Sequence, residues 1–263
     1  MKIEPTLCAG IQAELPHLRP LAQQLAAQLQ IPFIEANQKL TANAIYLQYH
    51  TDGLHIVSTN AKSKSLSFHI DFSDGLYLRR LQTSDKNQGL AKAVGFKPHY
   101  LPRVLDATAG FARDSFTLAS LGCRVTMLER SPVLAALLSE AMERGSYDHN
   151  VADTLERMQV QCTEAMKYLT QLTPEQAPDV IYLDPMFPER KKKAQVKKEM
   201  QILHQLLGSD DHTPYPLQLA INTAKNRVVV KRPKQAEDLN NMEPSFRVTG
   251  KASRYDIYLA DSD

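Results

Sequence analysis

The residues best suited to chemistry follow a short apolar run. Val180-Ile181-Tyr182-Leu183 leads directly into Asp184-Pro185-Met186-Phe187. The β-branched and aromatic run predicts a buried parallel strand, which the Asp-Pro step brings to an end. In open α/β sheets, ligands bind at the carboxyl ends of the strands. The segment after Leu183 therefore occupies the place of a binding site, although a simple turn with a packed phenylalanine fits the same residues.

These side chains can hold a planar base that carries an amino group. The Asp184 carboxylate and the Pro185 carbonyl can accept hydrogen bonds from an exocyclic NH2 group. The Phe187 ring can stack on the face of the same base. The pattern therefore predicts chemistry on a nucleobase amine, with Asp184, Pro185 and Phe187 as the catalytic residues.

A second pattern, upstream, predicts a cofactor that contains a nucleoside. Val104-Leu105 leads into the small-residue turn Asp106-Ala107-Thr108-Ala109-Gly110, and a helix-compatible stretch follows. Glu129 ends the next predicted strand, roughly 20 residues on, where a carboxylate can accept both hydroxyls of a ribose. The turn lacks the G-x-G-x-x-G glycines that let a pyrophosphate approach the backbone. It therefore favours S-adenosylmethionine (SAM), with a nicotinamide cofactor as the alternative.

A run of cations follows the predicted catalytic segment. A helix start that is merely solvated would explain them poorly, because cations oppose the positive N-terminal end of a helix. We interpret the run as a surface for the phosphates of a nucleic acid, which cations after the next predicted strand extend. Its predicted members are Arg190, Lys191, Lys192, Lys193, Lys197, Lys198, Lys231 and Arg232.

The first part of the chain reads as a small α+β module over residues 1–75. Leucines at helical spacing predict a helix over residues 18–29. Two apolar runs flank Asp52-Gly53, which is a strong signal for a β-hairpin. A further alternating strand is predicted over residues 66–72. The module is too short to hold a cofactor domain of its own.

Residues 76–263 form the predicted cofactor domain, with 76–100 as a linking segment. Ser131-Pro132 begins a helix with a capping residue and a proline at its first position. A terminal hairpin around Gly250 would add an antiparallel strand to an otherwise parallel sheet. The predicted fold is α/β, with a doubly wound, seven-stranded, mainly parallel sheet. The terminal hairpin is typical of SAM-dependent methyltransferases and unusual for nicotinamide enzymes.

Composition restricts the remaining classes of function. The chain has 263 residues, a net charge of +2 and a pI near 8.3, so RNA affinity must come from local patches. Three cysteines without C-x-x-C spacing predict neither a disulfide framework nor a zinc site. The eight histidines show no ligand-like pairing, and we expect no metal. The absence of a signal-peptide pattern or a membrane-length apolar stretch predicts a cytoplasmic protein.

Five longer motifs occur in the same order as in a known family, over roughly residues 80 to 260. They are Asp106–Gly110, Leu121–Pro132, Tyr182–Pro188, Val196–Met200 and Val228–Pro233. These motifs resemble the RsmJ family, the bacterial small-subunit (16S) ribosomal RNA guanine-N2 methyltransferases. The resemblance implies a Rossmann-like, class I SAM-dependent methyltransferase fold. It also implies methyl transfer to the exocyclic N2 amine of a guanine in ribosomal RNA, either free or assembled.

The resemblance assigns further residues to the site. Asp184 would lie between the cofactor and the target base, which must be unpaired or flipped out. Met186 departs from the more common proline of amino-methyltransferases, which makes the loop less rigid. By resemblance, the residues that bind the cofactor are Asp106, Gly110, Arg113, Asp114, Glu129, Arg130, Glu164, Ala165 and Asp184.

Three other functions fit parts of the sequence. An amino-methyltransferase acting on DNA adenine or cytosine would use the same catalytic segment, but the basic run and the resemblance favour RNA. A non-catalytic assembly factor on a methyltransferase fold would bind RNA and transfer no methyl group. A nicotinamide-dependent oxidoreductase would use the same ribose-binding carboxylate.

Overall fold

The computed structural model describes most of the chain, in two compact units. The described residues are 8–35, 37–38, 40–41, 44–60, 63–82, 84–97, 99–185, 202, 206, 215–250 and 253–260. The first unit contains the described residues of Met1–Asp71, Ser131–Arg144 and Glu189–His212. The second contains those of Phe72–Arg130, Gly145–Pro188 and Thr213–Asp263. The division of the chain into domains 1–75 and 76–263 stays a prediction.

Strands and helices alternate through most of the described chain. The described strands are β1 (Cys8–Ala13), β2 (Ile45–His50), β3 (Gly53–Asn60), β4 (Ser63–His69), β5 (Arg103–Asp106), β6 (Arg124–Glu129), β7 (Met158–Cys162), β8 (Val180–Leu183), β9 (Arg227–Pro233), β10 (Phe246–Thr249) and β11 (Ser253–Leu259). The described α-helices are α1 (Arg19–Leu29), α2 (Gly75–Gln82), α3 (Ser84–Val94), α4 (Arg113–Ser120), α5 (Pro132–Gly145), α6 (Ala152–Leu155), α7 (Ala165–Leu169) and α8 (Leu217–Thr223). Among these helices none has the length and apolar character needed to cross a membrane.

The first unit is built on a four-stranded sheet in the order β1-β2-β3-β4. β1 and β2 are parallel, whereas β2, β3 and β4 are antiparallel. His50 pairs with Gly53 across the turn, and the φ of Gly53 is +131°, which glycine adopts without strain. The hairpin predicted around Asp52-Gly53 is confirmed. Strand β1 was not predicted, because its sequence carries few β-branched residues.

The second unit contains a seven-stranded sheet in the order β10-β11-β9-β8-β5-β6-β7. The five neighbouring strands β9, β8, β5, β6 and β7 are parallel to one another, and β11 is antiparallel to both β9 and β10. The chain runs from β5 outward to β6 and β7, then returns to β8 on the other side of β5. The strand order therefore reverses between β5 and β8, where α/β sheets bind their ligands. The predicted sheet and its antiparallel hairpin are confirmed.

The centre of this sheet is apolar because helices of α/β folds cover both of its faces. All four residues of β8 are buried, and Val228, Val229 and Val230 of β9 are fully inaccessible. Leu217 and Ala220 of α8 belong to the same core cluster as Ile181. Burial of each large aliphatic side chain contributes roughly 1.5–3 kcal/mol, so the strand ends at the switch point rest on a rigid base.

The segment predicted as a link, 76–100, contains most of α2 and all of α3. Tyr77 of α2 packs with Phe72 and Phe116, at ring-centroid distances of 4.9 Å and 5.2 Å. The Tyr77 hydroxyl also donates a hydrogen bond of 2.7 Å to the carbonyl of Phe111. Helix α2 therefore braces the loop between β5 and α4.

Candidate active site

Two loops meet at the switch point, after β5 and after β8. The backbone N–H of Ala107 donates to the Tyr182 carbonyl at 3.0 Å, which continues the pairing of the two strands. Beyond it, the N–H of Asp184 donates to Oγ1 of Thr108 at 2.7 Å. The predicted catalytic segment and the predicted cofactor turn are thus joined by a hydrogen bond.

The turn after β5 is organised around the buried carboxylate of Asp106. This carboxylate accepts hydrogen bonds from the Thr108 N–H at 3.0 Å and from the Ser115 hydroxyl at 2.5 Å. Burial raises the pKa of Asp106 to about 6, against the opposing effect of these two donors. Asp106 is only 2% exposed. Its carboxylate holds the turn, and its predicted contact with the cofactor stays a prediction.

The backbone of the turn passes through two left-handed positions before α4 begins. The φ angles are +53° at Gly110 and +54° at Ala112, which is the residue that precedes the helix. Ala112 has no side chain that could cap the first N–H groups of α4. Among the described residues, a Cβ atom built on Gly110 would meet only the Thr108 carbonyl oxygen, at 3.8 Å. The part of the chain that the structure describes therefore leaves space beside the turn, next to the N-terminus of α4.

A charged cluster lies on the other side of this turn. The ammonium group of Lys231 is 2.7 Å from Oδ2 of Asp114 and 2.7 Å from Oδ2 of Asp184. The Tyr182 hydroxyl donates to the same Asp114 oxygen at 2.7 Å. We call Asp114, Tyr182, Asp184 and Lys231 the switch-point cluster. Its members come from α4, β8, the loop after β8, and β9.

The electrostatics of this cluster follow from its partial burial. Burial raises the pKa of Asp184, and the nearby Lys231 ammonium opposes that change. Burial disfavours the charged form of Lys231, but Asp114 and Asp184 outweigh it and raise the pKa of the ammonium. The pKa of Tyr182 is raised well above its usual value, by burial first and by the two carboxylates second. Lys231 therefore stays charged and Tyr182 stays a hydrogen-bond donor.

Asp184 is the most open carboxylate of the cluster. Its side chain is 38% exposed, against 15% for that of Asp114. Pro185, which follows it, is buried. Met186 and Phe187 lie outside the described residues. A partly exposed carboxylate that is paired with an ammonium group can accept a hydrogen bond and stabilise a positive charge that develops beside it.

The predicted ribose and adenine residues lie farther along the same edge of the sheet. Glu129 ends β6 and is 7% exposed, and its main-chain carbonyl accepts a bond of 3.0 Å from Thr163. Burial, followed by the charge of Glu129, raises the pKa of its strand neighbour Cys162. Arg130 is exposed. Glu164 is exposed just before α7, and Ala165 packs on the core cluster.

The remaining predicted residues divide into three groups. The Arg113 guanidinium lies over the Phe111 ring, 5.6 Å from its centroid. Lys231 and Arg232 were predicted to contact RNA, but Lys231 belongs to the switch-point cluster. Arg232 is 6% exposed and donates to the Glu237 carbonyl. The six cations of the run, Arg190, Lys191, Lys192, Lys193, Lys197 and Lys198, lie outside the described residues.

Sequence reasoning missed three contributors to the site: Thr108, Ser115 and Tyr182. Hydroxyl groups in a strand or a turn carry no motif of their own, so only the fold could show their partners. The sequence singled out Lys231 for another role. Its place in the site could have been inferred, because it follows Val228–Val230 near the carboxyl end of a strand beside β8. A polar cleft at the opposite edge, lined by Arg103 and Arg124, holds none of the switch-point cluster.

Fold and site together define a SAM-dependent methyltransferase. A family model described as "Putative SAM-dependent methyltransferase" matches residues 25–260 of the chain. The solved structure of a SAM-dependent methyltransferase from Neisseria gonorrhoeae superposes with a TM-score of 0.72 at 33% identity. It covers 95% of this chain and 96% of its own. The alternative of a nicotinamide-dependent oxidoreductase is therefore wrong.

Two sequence relatives show to which family of methyltransferases the chain belongs. A protein of Thioalkalivibrio sulfidiphilus is 44% identical over 243 residues, which cover 92% of this chain and 94% of the relative. A protein of Pseudomonas aeruginosa is 41% identical over 249 residues, with coverage of 94% and 93%. Both are named ribosomal RNA small subunit methyltransferase J. The chain belongs to this family, as its five motifs predict.

Proposed function

We propose that this protein transfers a methyl group from SAM to the exocyclic N2 amine of a guanine in small-subunit (16S) ribosomal RNA, in the cytoplasm. The observation that carries the proposal is the open Asp184 carboxylate at the switch point, paired with Lys231 at 2.7 Å. The names of the curated relatives support ribosomal RNA of the small subunit as the substrate. The RsmJ resemblance of the sequence supports guanine N2 as the acceptor.

The second unit offers suitable partners for each part of SAM. The N-terminus of α4, where Ala112 supplies no side-chain cap, and the space that the described residues leave beside Gly110 suit the carboxylate of the methionine end. Arg113 and Asp114 begin that helix. Glu129 suits the two ribose hydroxyls. Arg130, Glu164 and Ala165 are proposed to border the adenine. The bound cofactor supplies an electrophilic methyl group.

Asp184 addresses the main chemical difficulty, which is the weak nucleophilicity of the guanine amine. The lone pair of that amine is delocalised into the ring. Hydrogen bonds to the Asp184 carboxylate and the Pro185 carbonyl would favour the pyramidal nitrogen that attacks the methyl group. The carboxylate also stabilises the positive charge that develops on the nitrogen. The N–CH3 bond would form as the S–CH3 bond breaks, S-adenosylhomocysteine would be the leaving group, and the methylated nitrogen would then lose one proton to solvent. No covalent enzyme intermediate is required, so the rate gain comes from positioning and electrostatics.

Lys231 is proposed to position this carboxylate rather than to bind RNA. Its ammonium group contacts Oδ2 of Asp184, so Oδ1 is the oxygen proposed to accept the amine. The same ammonium opposes the effect of burial on the pKa of Asp184 and so favours the ionised form. Thr108 fixes the backbone of Asp184 from the opposite side.

Two further parts of the proposal come from the sequence. Phe187 is proposed to stack on the target base, which must be flipped out of its helix. The cations Arg190, Lys191, Lys192, Lys193, Lys197 and Lys198 are proposed to bind RNA phosphates. Both segments follow Asp184 directly in the sequence.

The decisive experiment is mass spectrometry of ribosomal RNA. Small-subunit RNA from cells that lack the protein should contain one guanine without its N2 methyl group. The purified protein and labelled SAM should restore that methyl group, on naked RNA or on assembled particles. Binding without transfer would instead indicate an assembly factor. Transfer to DNA adenine or cytosine, with ribosomal RNA unmodified, would contradict the proposal.

A further inference from the structure

The polar face of the four-stranded sheet in the first unit carries histidines from three strands. Residues two apart on a strand share a face, and the register pairs Gln48 with His55 and His55 with His69. His50, two residues after Gln48, therefore joins them. The ring centroids of His50 and His55 are 4.2 Å apart, and those of His55 and His69 are 4.3 Å apart.

Asp52 completes a set of metal-ligand side chains on this face. His50, Asp52 and His55 each offer one ligand atom, and these atoms lie within 4.8 Å of one another. Nε2 of His55 is 2.9 Å from Oδ1 of Asp52. Asp52 lies in the tight turn between β2 and β3, and His50 and His55 lie on the two strands that the turn joins. The paired strands fix the three backbones relative to one another.

Neighbouring side chains orient both imidazole rings. Oγ of Ser67 lies 2.8 Å from Nδ1 of His55, which turns Nε2 toward Asp52. The Glu14 carboxylate is 3.0 Å from Nδ1 of His50, and Oε1 of Gln48 is 3.1 Å from its Nε2. Histidines that bind metals are usually held through a hydrogen bond at the ring nitrogen that does not bind the ion, as Ser67 holds His55. Both ring nitrogens of His50 have a partner, so a metal ion at its Nε2 would displace Gln48 while Glu14 continues to hold Nδ1.

We propose that His50, Asp52 and His55 form a binding site for a divalent transition-metal ion, with Zn²⁺ as the best match. Two imidazoles and one carboxylate are a known ligand set for zinc, and water fills the fourth position. Mg²⁺ and Ca²⁺ prefer sites made only of oxygen ligands. The metal ion would replace the proton between Nε2 of His55 and Asp52. The Asp52 side chain is 60% exposed, which gives the ion a path from solvent.

Such a site would tie the two strands of the hairpin together. It does not depend on methyl transfer, since none of its residues belongs to the switch-point cluster. The sequence predicted no metal, because the spacing of these histidines matches no common motif. The strand register, rather than the spacing, brings His50 and His55 onto one face.

Isothermal titration of the full-length, chelator-treated protein with zinc chloride tests the proposal. The wild type should bind one zinc ion, and His55→Ala should lose that binding. Ser67→Ala, which removes only the orienting hydroxyl, should weaken it about 10–100-fold. His69→Ala is the matched control, because His69 lies on the same face but outside the set of ligands. Its zinc affinity should equal that of the wild type.

A second measurement distinguishes this site from binding to cysteine. The cobalt(II) complex should show the absorption of nitrogen and oxygen ligands without a thiolate charge-transfer band, although Cys162 is exposed. Zinc should also raise the melting temperature of the wild type but not that of Asp52→Asn. The proposal fails if the wild type binds no zinc, if His69→Ala loses binding as His55→Ala does, or if a thiolate band appears.

Discussion

At the scale of single residues, two hydrogen bonds fix the position of Asp184, one to its backbone and one to its side chain. Thr108 accepts a hydrogen bond from its backbone, and Lys231 pairs with its carboxylate. The two carboxylates, Asp114 and Asp184, share the Lys231 ammonium group, and the Tyr182 hydroxyl donates to Asp114. Changes at Asp184 and Lys231 should therefore affect the chemical step more than they affect binding.

Asp184→Asn should lower the rate of methyl transfer by about 10²-fold or more, because it removes the charge that stabilises the forming aminium-like nitrogen. The substitution keeps the volume and one carbonyl acceptor. RNA affinity should change little, since phosphate contacts dominate it. Single-turnover kinetics with labelled SAM and small-subunit particles would measure the effect. A near wild-type rate would make the segment after β8 a simple turn.

Lys231→Met should shift the acidic limb of the pH–rate profile to higher pH. Burial already raises the pKa of Asp184, and Lys231 is the group that opposes it. An ionised carboxylate is lost as the pH falls through its pKa, so the variant should lose activity at a higher pH than the wild type. Lys231→Arg, which keeps the charge, is the control. An altered salt dependence of RNA binding with an unchanged pH profile would favour phosphate contact instead.

At the scale of elements, the turn between β5 and α4 is held by its own side chains and by α2. Ser115 and Thr108 bind the Asp106 carboxylate, and Tyr77 binds the Phe111 carbonyl. These contacts support the left-handed backbone at Gly110. The element therefore presents a fixed backbone to a ligand rather than a flexible loop.

Gly110→Ala should weaken SAM binding more than it lowers stability. The left-handed φ of +53° costs a side-chain-bearing residue roughly 1–2 kcal/mol. Among the described residues, the added methyl group meets no atom closer than the Thr108 carbonyl oxygen at 3.8 Å, so it would occupy the space proposed for the cofactor. Calorimetry with SAM and thermal unfolding would separate the two effects. Gly75→Ala, at an exposed helix start with open space around it, should change neither property appreciably.

The cationic segment after the site can be tested as a unit. Replacing Lys191, Lys192 and Lys193 together by Ala should reduce the salt dependence of RNA binding by roughly two to three units of log–log slope, if each lysine meets a phosphate. SAM affinity should stay the same. A salt titration of RNA binding measures the slope. An unchanged slope would mean that the run is only a solvated surface.

At the scale of the whole molecule, cofactor binding should stabilise the folded chain. SAM at 100 times its dissociation constant adds about 2.7 kcal/mol to the free energy of unfolding, if only the folded state binds it. NAD should produce no shift in the melting temperature.

Glu129→Ala should weaken the binding of SAM by roughly 1–3 kcal/mol, because the ribose hydroxyls lose a charged acceptor. Thermal unfolding and calorimetry of the folded variant test this, and unchanged SAM affinity would exclude the ribose role.

Local patterns in the sequence were sufficient to predict much of residues 76–263. The apolar run Val180–Leu183, the Ser131-Pro132 helix start and the terminal hairpin all appear where the sequence predicts them. Each depends on neighbours in the chain, such as a capping residue, a proline or a β-branched run. Strand β1 and helices α2 and α3 carry weaker local signals, and long-range packing decides their structure.

The sequence alone determined the class of protein, because five motifs and the missing pyrophosphate glycines are read directly from the residues. It also located Asp106, Glu129 and Asp184 at the ends of strands. Only the tertiary structure decided which side chains meet there. The Lys231 ammonium pairs with Asp184 because β8 and β9 lie side by side, and with Asp114 because α4 begins beside the ends of these strands. His50 and His55 share one face for the same reason: strand register joins residues that no sequence spacing links.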